Sequence, residues 1–165
     1  MAKPKKKTKK ITERRAYGIT VLKASDSRIR KLRKKHEPNI HGNKVWNSSW
    51  CIMDFLTSQG LPNGVSVLEA GCGWGPAGIF CAKKFDARVT GLDADAAVFP
   101  YLNLHAEING VEITTYEATF DKLKKKQLSE YNLVIGGDIC FWDEMKKPVY
   151  KLVEKSMNSG VGQVI

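Results

Sequence analysis

The stretch VLEAGCGWGPAG, residues 67–78, decides the fold, because four glycines follow directly on a short apolar run. A run of this kind that ends in closely spaced glycines is typical of a buried strand that turns into a helix. Glycine at such a turn lets the backbone adopt a positive φ and approach a ligand closely. The sequence therefore predicts a ligand-binding turn at the carboxyl end of a strand.

Strands and helices alternate on both sides of this turn. The hydrophobic pattern predicts strands over 65–70, 87–93, 111–118, 131–138 and 161–165, and helices over 48–59, 76–85, 96–108 and 143–157. Such alternation is typical of right-handed βαβ units, so we predict an α/β fold with a doubly wound, mostly parallel sheet. The pattern stops at a fifth strand. We therefore expect either a fragment truncated after strand 5 or a sheet that closes in another way.

The charge of the chain is concentrated at its N-terminus. Residues 1–35 contain 15 Lys and Arg against two acidic residues, whereas the other 130 residues contain 12 basic and 15 acidic ones. We predict a basic N-terminal arm or helix over 1–37 and a folded domain over 38–165. Such an arm can bind phosphate backbones or an acidic protein, or it can be a solvated tail, and the sequence leaves these alternatives open.

The composition predicts a cytoplasmic protein without a membrane contact. No apolar run approaches the roughly 18 residues of a membrane helix, and no secretory signal follows the N-terminus. The four cysteines, at positions 51, 72, 81 and 140, form no C-x-x-C pair and have no histidine at zinc spacing. We therefore expect reduced thiols and no metal site.

The glycine turn fits phosphate-binding loops poorly. A nucleotide-triphosphate loop needs lysine and a hydroxyl residue after its last glycine, but Ile79 and Phe80 follow Gly78. A dinucleotide loop needs a third glycine where this chain has Pro76. The sequence therefore excludes a nucleotide-triphosphate loop, and it matches the dinucleotide pattern only in part.

Two acidic residues at strand ends distinguish the remaining ligands. Glu69 lies at the mouth of the turn, where it would repel a pyrophosphate but attract an ammonium group. Asp93 ends the next predicted strand, in the position where acidic side chains hold ribose hydroxyls. A ligand with an ammonium group, a ribose and no phosphate is S-adenosylmethionine.

The segments VLEAGCGWG and VTGLDAD resemble the first two cofactor motifs of the class I, seven-strand, Rossmann-like S-adenosylmethionine-dependent methyltransferases, over about residues 43–165. The resemblance implies a transferase that uses S-adenosylmethionine, releases S-adenosylhomocysteine and needs no metal. It places Glu69, Gly71 and Gly73 around the methionine part and Asp93 at the ribose. Residues near the adenine would be Glu117, Ala118 and Thr119.

The sequence after the fourth strand suggests the methyl acceptor. In GGDICFWDE, Asp138 to Phe141 resembles the D/E-x-x-Y/F motif of seven-strand protein-lysine methyltransferases, so Asp138 and Phe141 are the catalytic candidates. GNKVW resembles the glycine-to-tryptophan segment of the same group, which implies Trp46 near the cofactor. We expect N-methylation of a protein side chain. The alternatives are an RNA, ribonucleoprotein or small-molecule acceptor, and a binding module without turnover.

Overall fold

The computed structural model describes residues 11–39 and 42–165. Its strands are β1 (Glu13–Ala16), β2 (Ile19–Leu22), β3 (Ser66–Ala70), β4 (Arg88–Asp93), β5 (Thr114–Glu117), β6 (Leu133–Ile135) and β7 (Gln163–Val164). Its helices are α1 (Ser27–Arg33), α2 (Ser48–Gln59), α3 (Pro76–Phe85), α4 (Phe99–Asn109), α5 (Lys125–Leu128) and α6 (Asp143–Met157). Within the described residues, no helix is both long and apolar enough to cross a membrane.

Five strands form one parallel sheet in the order β5-β4-β3-β6-β7. The chain starts in the centre at β3, extends to one edge through β4 and β5, and then returns to β6 on the other side. This arrangement confirms the predicted doubly wound parallel sheet. β6 has three residues rather than the eight predicted, because it ends at two glycines followed by Asp138, which has a φ of +55°.

Helices cover both faces of this sheet. On β3, Val67 packs with the apolar sides of α2 and α3, whereas Leu68 and Ala70 pack with residues of α5 and α6. All three side chains are fully buried. Burial on both faces explains why β6 is a continuous apolar run, whereas the edge strand β5 contains polar residues. The carboxyl ends of the strands are left to line a site.

The segment that the sequence analysis assigned to a basic arm contains a hairpin that it did not predict. β1 and β2 pair antiparallel through a two-residue turn, in which Tyr17 and Gly18 have φ of +52° and +78°. Two positive φ values in a two-residue loop match the twist of hairpin strands. The predicted basic helix is present as α1, and Asp26 caps it by accepting a hydrogen bond from the N–H of Arg28 at 2.9 Å.

Helix α4 provides side chains that pair with the free edge of β2. The Asn109 amide accepts from the N–H of Thr20 at 2.8 Å and donates to its carbonyl at 2.9 Å. His105 Nε2 accepts from the N–H of Leu22 at 3.1 Å. Leu22 and Ile29 are buried against Trp74 and neighbouring residues of α4. Residues 13–33 therefore pack on the sheet domain, while the lysine-rich stretch 1–10, with its predicted nucleic-acid contact, lies outside the described residues.

A pair of isoleucine variants tests this packing. Ile29 is completely buried and Ile11 is 73% exposed, although both lie in the basic N-terminal segment. We expect Ile29→Ala to lower the free energy of unfolding by about 2–4 kcal/mol, because it leaves a cavity in the core. Ile11→Ala should change it by less than about 0.5 kcal/mol. Urea denaturation measures both, and equal small effects would mean that the segment does not pack in solution.

Candidate active site

A cavity of about 380 Å³ lies at the carboxyl ends of β3, β4 and β6. The strand order reverses between β3 and β6, which is where doubly wound sheets bind ligands. Eight of the ten predicted site residues line the cavity: Trp46, Glu69, Gly71, Gly73, Asp93, Thr119, Asp138 and Phe141. Glu117 is not among the lining residues and is exposed on β5. Ala118 is not among the lining residues. Its N–H donates to the carbonyl of Asp93 at 3.0 Å and so extends the pairing of β4 and β5.

The glycine turn forms one wall of the cavity. Gly71 and Gly73 have φ of +64° and +52°, a backbone conformation that other residues adopt at a cost. A Cβ atom on Gly71 would lie 2.5 Å from Cγ2 of Ile139, so this position has no room for a side chain. At Gly73 no atom lies within 4 Å of the Cβ position. The backbone at Gly73 is therefore open to a ligand in the cavity.

Glu69 is a buried carboxyl group that connects β3 to α3. Its side chain is 5% exposed, and Oε2 accepts from the N–H of Gly78 at 3.0 Å. A Cβ on Gly78 would lie 2.5 Å from the same oxygen, so only glycine fits there. The pKa of Glu69 is raised to about 8, mainly by burial and to a smaller extent by nearby Asp93, against the opposing effect of the α3 amides. A cationic ligand would favour the ionised form of this group.

Asp93 holds the glycine turn against the end of β4. Its two carboxylate oxygens accept from the N–H groups of Gly73 and Asp95, each at 3.0 Å. Burial raises the pKa of Asp93 as well. Each carboxylate oxygen has a second lone pair, so the group can also accept hydrogen bonds from hydroxyls of a ligand.

Trp74, within the glycine turn, fixes the segment that precedes α2. Its indole stacks on Tyr101 with ring centroids 5.3 Å apart, and its Nε1 donates to the carbonyl of Gly42 at 2.8 Å. Asp95 accepts from the N–H of Asn39 at 2.6 Å. The sequence analysis missed this role of Trp74. A tryptophan between two glycines of a tight turn was the available signal, since a large aromatic ring there must pack on something.

Asp138 lines the same cavity as the glycine turn and caps α2. Its Oδ2 accepts from Ser48 Oγ at 2.6 Å and lies 3.4 Å from the backbone nitrogen of Ser48. Asp138 has the left-handed φ noted above, and a Cβ on Gly137 would lie 2.5 Å from Ser48 Oγ. A residue held in this uncommon conformation by its surroundings is frequent in functional sites.

Aromatic side chains form the wall beside Asp138. The rings of Trp46 and Phe141 are 5.9 Å apart, and Trp142 packs edge-on against Phe141 at 5.6 Å. Phe141 is 61% exposed, so this wall faces the opening of the cavity. Of these three aromatic residues, the sequence analysis predicted Trp46 and Phe141. It did not predict two charged residues of the lining, Lys44 and Asp121.

The parallel sheet and the position of its cavity define the class I methyltransferase fold. Residues 67–160 match the family described as a methyltransferase domain, and the chain belongs to this family. No curated protein matches the chain.

Solved structures of the same fold include a putative S-adenosyl-L-methionine-dependent methyltransferase from Methanococcus maripaludis, with 13% identity and a TM-score of 0.53, covering 66% of this chain and 50% of that one. A putative sarcosine dimethylglycine methyltransferase from Galdieria sulphuraria is 16% identical with a TM-score of 0.52, covering 66% and 42%. The MccD protein is 19% identical with a TM-score of 0.51, covering 64% and 47%. The chain thus spans about half the length of the structures that it matches.

The raised pKa of Glu69 predicts a specific pH dependence of stability. Between its ordinary value of 4.5 and about 8, the folded protein keeps a proton that the unfolded chain releases. The free energy of unfolding should therefore fall as the pH rises through this range. Glu69→Gln keeps the acceptor for Gly78 but cannot ionise, so its stability advantage over the parent should grow from pH 5 to pH 9.

Urea denaturation at several pH values measures this difference, and Glu117→Gln, at an exposed carboxylate of β5, is the matched control. The control curve should run parallel to that of the parent. If the Glu69→Gln curve also runs parallel, then Glu69 is ionised in the ligand-free protein at neutral pH.

Proposed function

We propose that this protein is an S-adenosylmethionine-dependent methyltransferase that methylates a nitrogen of a protein side chain. The observation that carries the proposal is the pairing of an open glycine turn with two carboxyl groups in one cavity, Glu69, which is buried, and Asp93, which is partly buried. This set suits a ligand with a cationic amino-acid part and a ribose. It suits a pyrophosphate poorly, because the negative charge of the phosphates would force both carboxyl groups to remain protonated.

Each part of the cofactor has a proposed partner in the cavity. Glu69 and the turn at Gly73 accommodate the methionine part, and Asp93 accepts hydrogen bonds from the ribose hydroxyls. Thr119 lies beside the adenine, while Ala118 contributes only backbone. Trp46 covers the cofactor from the segment before α2. When bound, S-adenosylmethionine supplies an activated methyl group on a sulfonium, so the protein must mainly orient the acceptor and exclude water.

The acceptor side of the cavity favours an amine. Asp138 adds negative charge to this part of the lining, and Trp46 and Phe141 present aromatic faces beside it. Carboxylates and aromatic faces both attract an alkylammonium group, whereas a phosphodiester would be repelled. The amine must lose a proton before its lone pair can attack, and we assign the transfer of that proton to the Asp138 carboxylate, which accepts a hydrogen bond from Ser48.

Calorimetry with the free ligands tests the cofactor assignment. We expect saturable binding of S-adenosylmethionine and S-adenosylhomocysteine that EDTA does not change, and no binding of NAD at the same concentrations. Asp93→Asn should weaken binding by about 1–3 kcal/mol through lost charge-assisted hydrogen bonds. Asp86→Asn, at an exposed aspartate that ends α3, is the control and should bind like the parent. Binding of NAD in place of S-adenosylhomocysteine would contradict the assignment.

A second experiment tests the acceptor and the role of Asp138. Label from [methyl-³H]S-adenosylmethionine should pass to protease-sensitive, ribonuclease-resistant material in a desalted cell extract. Asp138→Asn keeps a side chain that tolerates a positive φ and accepts from Ser48. It should bind cofactor normally but transfer the label about 10²-fold more slowly or worse, as expected when a general base is lost.

Asp86→Asn, outside the cavity, serves as the control and should transfer the label like the parent. Ser48→Ala removes the hydrogen bond to Asp138 but leaves the carboxylate, so it should cost about 0.5–2 kcal/mol of stability, as lost helix caps do, and slow the transfer less than Asp138→Asn does. Ribonuclease-sensitive label would make RNA the acceptor instead of protein.

A further inference from the structure

The cavity lining is unbalanced in charge. Four carboxyl groups line it, from Glu69, Asp93, Asp121 and Asp138. Among the described residues of the lining, Lys44 alone is basic. A ligand that carries its own carboxylate would be repelled by these acids unless a cation received it. Lys44 is the group in this lining that can do so.

Lys44 is not neutralised by the acids around it. Among the described residues, no carboxylate lies within 4.0 Å of its ammonium group. The Nζ atom lies instead 4.1 Å from the centroid of the Trp46 ring. A cation–π contact at an open site contributes only about 0.5–1 kcal/mol, so the ammonium group can turn from the ring to an anion at little cost.

The backbone places the segment that carries Lys44 beside the glycine turn. Gly42, two residues earlier, is bound through its carbonyl to the indole of Trp74, which belongs to the turn. Lys44 therefore lies near the place proposed for the amino-acid part of the cofactor.

We propose that Lys44 binds the α-carboxylate of S-adenosylmethionine and so selects for ligands that have an intact amino-acid group. This inference rests on the proposed function. Glu69 complements the ammonium group of the same amino acid, so Glu69 and Lys44 together recognise its two opposite charges. The Trp46 ring holds the lysine ready when no ligand is bound.

Paired ligands that differ only in the carboxylate test the proposal by calorimetry. S-adenosylmethionine and its decarboxylated form both carry the sulfonium and the amine. The parent protein should bind the intact ligand at least tenfold more tightly. Lys44→Met should weaken binding of the intact ligand about tenfold and leave binding of the decarboxylated ligand unchanged or tighter. Lys44→Arg should restore most of the preference, because it restores the cation.

Lys151→Met, at an exposed lysine of α6, is the control and should keep the preference of the parent. An equal loss for both ligands in Lys44→Met, or no loss for either, would overturn the assignment of Lys44 while leaving the cofactor assignment intact. If the parent binds neither ligand, both proposals fail. A mass increase of one methyl group on Lys44 after incubation with S-adenosylmethionine would make Lys44 an acceptor and would also overturn the proposal.

Discussion

The contact between the Glu69 carboxyl group and the backbone of α3 is the constraint on which the site depends. It joins the end of β3 to the first turn of the next helix through the N–H of Gly78 at 3.0 Å. It requires glycine at position 78 and buries a carboxyl group at the base of the cavity. The Glu69 carboxyl group therefore contributes both to packing in the core and to the charge of the site, so a substitution of Glu69 changes both.

A second set of contacts makes the N-terminal segment part of the site. The indole of Trp74 stacks between Tyr101 and His105, and the imidazole of His105 in turn accepts a hydrogen bond from β2. The same indole binds the carbonyl of Gly42. The hairpin, the glycine turn and the segment that carries Lys44 and Trp46 are thus joined through one aromatic side chain. Loss of the hairpin should accordingly disturb the cavity, although the hairpin does not line it.

Much of the site could be predicted because it lies in short stretches at strand ends. Parallel strands bring their carboxyl ends to one edge of a sheet, so Glu69, Asp93 and Asp138 were expected to meet. Their individual partners could not be predicted. Asp93 binds two backbone amides, and Asp138 binds a serine 90 residues away. These contacts depend on the conformations of the loops, which the local sequence does not determine. Lys44 lies within the segment GNKVW, but the resemblance gave its charge no role, and that role became visible only with the cavity.

The sequence by itself determined the alternation of strands and helices, the glycine turn and the doubly wound order, because periodicity and glycine spacing act through neighbouring residues. Only the tertiary structure decided the place of the N-terminal hairpin. Its strand β2 has polar backbone groups that are satisfied by His105 and Asn109, 83 and 89 residues further along the chain. From its sequence, this basic segment is predicted to be a solvated arm, because the side chains that bind it lie far away in the chain. Buried backbone groups must form hydrogen bonds, and the tertiary fold determines which side chains form them.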